Sequence, residues 1–128
     1  MTALYGGAPL PDIKANSSDG TVTPIDNLSV TAALNPGSGS DDNADWWVAA
    51  NVSCTSTIDS WYYFDVSTMS WAYAGCSYTA LSFTYQGPLF DLSIFTVLNM
   101  DGLPKGTYTF YFAVDMNMNG FRSWRAVF

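Results

Sequence analysis

The stretch Thr107-Tyr108-Thr109-Phe110-Tyr111-Phe112-Ala113-Val114 decides the fold class. Tyr108, Phe110, Phe112 and Val114 fall on one face of an extended chain; Thr107, Thr109, Tyr111 and Ala113 fall on the other. Successive side chains of a strand point to opposite faces, and β-branched and aromatic residues favour that pleated surface. The run therefore reads as a strand with one face turned to a core. Nothing in it has the 3.6-residue period of a helix.

Working outward, the same period-2 pattern recurs. Leu28, Val30, Ala32 and Leu34 alternate with Ser29, Thr31 and Ala33. From Asp45 to Cys54, Trp46, Val48, Ala50 and Val52 share one face, with Trp47, Ala49, Asn51 and Ser53 on the other. Trp61 to Val66 and Ser70 to Ala74 read as two aromatic-rich strands joined by a turn at Ser67-Thr68-Met69. Ser77 to Gly87 is ambiguous, and Leu89 to Leu98 is one strand, or a helical turn followed by a strand. Trp124 to Phe128 is a short closing strand. Asn35 to Asn43 is a polar loop, and residues 1–27, punctuated by Gly6-Gly7, Pro9, Pro11 and Pro24, read as an irregular arm with one short strand near Thr21 to Thr23. Leu103-Pro104-Lys105-Gly106 makes a corner into the deciding strand, where Tyr108 is placed to bury its ring and return its hydroxyl to the main chain. The expectation is an all-β protein: an antiparallel Ig-like β-sandwich of about seven strands over residues 28–128, preceded by the arm at 1–27.

Composition narrows the function. The chain of 128 residues is one domain long, is 48% hydrophobic and 16% aromatic, and carries four Lys+Arg against eleven acids, for a net charge of −7. Phosphate binding needs a cationic face, so nucleic acid is not an expected partner. There is no His, and every acid is Asp. Ser-His-Asp and Cys-His nucleophiles are thereby excluded within this chain, and a complete EF-hand lacks its twelfth-position Glu. No spacing sets two carboxylates across a cleft, and a non-enzymatic role is expected. No run approaches a membrane span. The start, Met1-Thr2-Ala3-Leu4-Tyr5-Gly6-Gly7, has neither a basic nor an apolar leader region, so the expectation is either a cytosolic protein or an exported one whose leader lies outside this sequence.

Four groups of residues are candidates for a role. Cys54 and Cys76 lack CxxC spacing and read either as two buried thiols or, preferred, as the one disulfide of an exported domain. Asp115-Met116-Asn117-Met118-Asn119-Gly120 places oxygen side chains at positions 1, 3 and 5 and glycine at 6, matching the first half of a calcium loop. Its second half fails at Ser123 and Ala126, so the motif is an Asx turn or a weak calcium site completed by another loop's carboxylate, such as Asp91 or Asp101. No other cofactor is indicated. The doublets Trp46-Trp47 and Tyr62-Tyr63 must split between two faces, offering outward rings for a protein partner or a sugar unless loops and the arm cover them. Asp41, Asp42 and Asp45 read as a solvated acidic loop.

Asp45-Trp46-Trp47-Val48-Ala49-Ala50, Trp61-Tyr62-Tyr63-Phe64, Gln86-Gly87-Pro88-Leu89-Phe90, Val97-Leu98 and the run from Leu103 to Gly120 occur in an order that resembles a small exported β-domain. Over about residues 44–120 it is most similar to the globular second domain of Geobacter-type type IV pilins, the geopilin domain 2 family. The resemblance implies an extracellular structural subunit that coats a pilus or pseudopilus. It further implies a short helical pilin as partner, in a homo-polymeric filament, with membrane contact through that partner alone. The arm, with Leu4 and Tyr5, and the aromatic doublets are the expected docking elements. The chain departs from the family pattern after the Asx loop, ending in Phe121-Arg122-Ser123-Trp124-Arg125-Ala126-Val127-Phe128 instead of a Tyr-rich acidic strand. The rival class is an extracellular, calcium-assisted module that binds carbohydrate or protein.

Overall fold

In the computed structural model, which describes residues 9–18, 27–37, 42–53, 60–104 and 106–116, the alternating stretches are strands. They are β1 (Leu10–Ala15), β2 (Asn27–Asn35), β3 (Asn43–Ser53), β4 (Ser60–Asp65), β5 (Ser70–Gly75), β6 (Tyr85–Pro88), β7 (Leu92–Asp101) and β8 (Thr107–Asp115). One sheet has the order β1-β2-β7, and the other runs β5-β4-β3, with β6 and β8 also paired to β3. Every pairing is antiparallel. The two sheets enclose one core, and the architecture is the Ig-like β-sandwich expected from the sequence, with eight strands among the described residues.

Alternation accounts for the core. Leu28, Val30, Ala32 and Leu34 of β2 are all buried, whereas Ser29, Thr31 and Ala33 between them are half-buried. From the facing sheet come Trp46, Val48 and Ala50 of β3, Phe64 of β4, and Phe110 and Phe112 of β8. Phe112 and Val30 are fully covered and mark the centre. The corner before β8 has the expected geometry. Gly102 supplies a φ of +67°, and the Tyr108 hydroxyl donates to the Pro104 carbonyl over 2.6 Å.

One expectation is corrected and two open readings are settled. The arm is not irregular throughout, because Leu10–Ala15 forms β1 and pairs along β2 from Leu10↔Asn35 to Ala15↔Val30, so these residues belong to the sandwich. Pro11 reads as a turn residue, but an edge strand tolerates proline and turns charge outward, and here Lys14 pairs with Asp12. The segment Ser77 to Gly87 resolves into one 3₁₀ turn at Tyr78–Ala80 followed by β6. Residues Leu89 to Leu98 hold no helical turn; β7 begins at Leu92. The strands expected near Thr21 to Thr23 and at Trp124 to Phe128 lie outside the described residues.

Candidate binding surfaces around the central strand

β3 carries Asp45, Trp46 and Trp47 and pairs with the strands that carry Tyr62, Tyr63 and Asp115. One of its edges pairs with β8 continuously from Asp45↔Asp115 to Ser53↔Thr107. The other edge is shared: β6 takes Asn43 to Trp46, and β4 takes Ala49 to Val52. That division leaves the main chain around Val48 without a strand partner, and Thr84 fills the gap. Its backbone N–H donates to the Trp46 carbonyl over 2.7 Å. Its hydroxyl oxygen accepts from the Val48 N–H at 2.9 Å and donates to the Val48 carbonyl at 3.3 Å. A buried main-chain group left unpaired costs about 1–3 kcal/mol, so this one side chain allows two short strands to serve as one neighbour.

The tryptophan doublet splits between faces as alternation requires, yet both members are buried: Trp46 is 4% exposed and Trp47 is 6% exposed. Trp46 enters the main core against Tyr85 and Phe90, each 4.9 Å away between ring centroids, and against Phe112 at 5.8 Å. Its indole N–H has no hydrogen-bond partner among the described residues, so ring packing accounts for its position. Trp47 lies on the opposite face in a second apolar cluster with Ala49, Leu81 and Ala113. The connection after β5 covers it, bringing down Leu81 and setting Phe83 edge-on to Trp47. Neither tryptophan presents a ring to a partner, which corrects the expectation of an outward platform at this doublet.

The tyrosine doublet splits too. Tyr62 packs on the main core and stacks on the exposed Tyr73 at 5.3 Å. Tyr63 packs on the second cluster, alongside Trp61 and Tyr111. On the intervening strand Ala49 stands opposite Tyr111 and Asn51 opposite Trp61; the Trp61 and Tyr111 rings approach to 5.7 Å across it, and Tyr78 closes on Trp61 at 6.3 Å. Both members of this doublet are half-buried. Leu4 and Tyr5 lie outside the described residues.

Asp45, expected in a solvated loop, is instead 4% exposed within β3 and stands directly opposite Asp115, which is 2% exposed. Directly opposed residues on antiparallel strands have Cβ atoms about 4.5–5.5 Å apart, and like charges so placed repel. Gln86 donates its amide to Asp45 over 2.6 Å. The carboxylate facing Asp115 is thus Asp45. Asp101 accepts from Asn27 across the other sheet, and Asp91 is exposed ahead of β7. Asn117 and Asn119 lie outside the described residues, within which no three His, Cys, Asp or Glu side chains gather as a metal group. Cys76 is an exposed free thiol just after β5, and its expected partner Cys54 lies outside the described residues.

Two of these residues escaped sequence reading. Thr84 carries no motif, since its role arises from where β4 and β6 stop. Asp45 did have a signal: it occupies an alternating position between Ala44 and Trp46, within a strand pattern. No family model, curated protein or solved structure matches the chain.

Proposed function

We propose that this chain is a non-enzymatic structural domain of the cell exterior, coating a type IV pilus or pseudopilus by docking on a helical pilin subunit. The observation that supports this reading best is the set of large apolar side chains left on the outside of a well-filled sandwich. Ile94 is 75% exposed, Tyr73 60%, Met69 56% and Leu10 52%. Side chains of this kind on strands and a hairpin tip suit contact with an apolar partner, and the resemblance of the motifs supplies a helix as that partner. Co-expression with a short helical pilin tests it: a complex that survives size-exclusion chromatography is expected, and separate elution of the two chains overturns the reading.

A second reading, a calcium-assisted module that binds carbohydrate or protein, is favoured by one observation. Asp45 stands opposite Asp115 at the head of the Asp115-to-Gly120 motif, which itself holds a single carboxylate, in place of the Asp91 or Asp101 that sequence suggested. Millimolar calcium is then expected to raise the melting temperature, with binding heat in calorimetry, and an unmoved melting temperature removes this reading.

A further inference from the structure

We propose that Trp71 is an edge guard, its indole shutting the open edge of β7 against strand pairing with a second copy of this chain. β7 is an edge strand, hydrogen-bonded to β2 alone among the described strands. From Leu92 to Met100 it carries neither charge nor proline, and Ile94 projects from it with 75% of its surface exposed. A long, uncharged, apolar edge is a template for another strand. The opposite edge of the same sheet is blunted by Pro11 and by the charged pair Asp12 and Lys14 on β1.

β7 is protected by different means. Its register with β2 passes from Val30↔Leu98 to Thr31↔Thr96, and from Ala32↔Phe95 to Leu34↔Leu92. Extra residues therefore bulge from β7 at Val97 and between Leu92 and Phe95, which roughens the edge. Val97 has no residue opposite it on β2, and its carbonyl accepts from the Trp71 indole N–H at 2.8 Å. Trp71 belongs to β5, the edge strand of the other sheet, so this bond fastens two edges across the mouth of the sandwich. Phe64 at 5.6 Å and Phe110 at 6.0 Å hold the ring in place. The contact is autoinhibitory. Without it the Val97 carbonyl is open to water and to the N–H of another strand, and identical strands can pair antiparallel about a two-fold axis with no other partner.

The test is Trp71→Phe, followed by analytical ultracentrifugation over a range of protein concentration at low and high salt. Wild type is expected to be monomeric. The variant is expected to self-associate about tenfold or more strongly, the scale of one restored hydrogen bond to a buried carbonyl. Association is expected to rise with salt, because each copy carries −7 and salt screens their repulsion. Adding Ile94→Lys, a charge on the edge at an exposed position, is expected to return the variant to monomer. Should Phe fail to support folding, benzothienylalanine at position 71 keeps the bicyclic ring without the N–H and gives the same readout. A folded variant as monomeric as wild type overturns the proposal. So does association that Ile94→Lys leaves unchanged, and so does a wild type already paired through β7.

Discussion

The outer faces of the two sheets differ, although both belong to antiparallel strands with the same period-2 pattern. Across the β1-β2-β7 sheet the outward residues of β2 are Ser29, Thr31 and Ala33, half-buried and polar or small. Across the other sheet the outward residues of β3 include Trp47 and Ala49, buried under Leu81 and Phe83. The difference teaches that a two-residue period fixes which face a side chain takes but not whether that face is wet: β2 alternates, whereas β3 is apolar without a break from Trp46 to Ala50. Every residue of β3 from Ala44 to Ala50 is buried, because a connection brings a second small core to the face that would otherwise be wet. The surplus aromatic content is used here as cover, and the most exposed large apolar side chains, Ile94, Tyr73, Met69 and Leu10, lie on edge strands and at a hairpin tip.

That comparison breaks most readily at Trp47. Trp47→Ala is expected to cost about 3–5 kcal/mol in chemical denaturation, as for a large core aromatic, whereas Thr31→Ala on the other outer face should cost less than about 1 kcal/mol. Equal small effects would mean that the second cluster contributes nothing. Thr84→Val sharpens the same point at the edge of β3. It keeps the shape but leaves the Val48 N–H without its acceptor, at an expected cost of about 1–3 kcal/mol read from thermal unfolding. Tyr108→Phe belongs to neither outer face and serves as a yardstick. Loss of its bond to Pro104 should cost about 0.5–1.5 kcal/mol.

The smallest effect is expected at the β4–β5 turn, beyond the reach of the cover. There the Ser67 hydroxyl and backbone N–H both donate to the Asp65 carboxylate and hold its pKa below the ordinary 3.8. A depressed folded-state pKa stabilises the fold above the ordinary carboxylate value, and that contribution disappears as pH falls through the lower folded value. The stability gap between wild type and Asp65→Ala should therefore be present near neutral pH and narrow at about pH 2. A gap that does not change with pH would remove the carboxylate from the explanation.

How much of this was legible in the sequence follows from where each signal sits. β2, β3 and β8 were readable because a two-residue period assigns their faces, β4 and β5 because two aromatic-rich runs flank a short turn, and Tyr108 because a corner and a strand adjoin it. β1 was missed because Pro11, Asp12 and Lys14 satisfy the rules of an exposed edge, which in one dimension look like the rules of a turn. The burial of Trp47 had a local signal in the unbroken apolar run Trp46-Trp47-Val48-Ala49-Ala50, which fits a strand covered on both faces. What covers it was not legible, because Leu81 and Phe83 fold back over β3 from a distant connection, a long-range event. The pairing of Asp45 with Asp115 is of the same kind, since register between β3 and β8 is set by the whole ladder and not by either aspartate.

The central claim is that the chain is a covered sandwich which works by docking through its periphery. Hydrogen exchange on the chain alone and with a helical pilin addresses it most directly. The claim requires slow exchange along β3 in both states, with new protection on binding confined to β1, β7 or the β4–β5 hairpin, where the most exposed apolar side chains stand. No change in protection anywhere, or new protection centred on Trp47 and the strand beneath it, would contradict it.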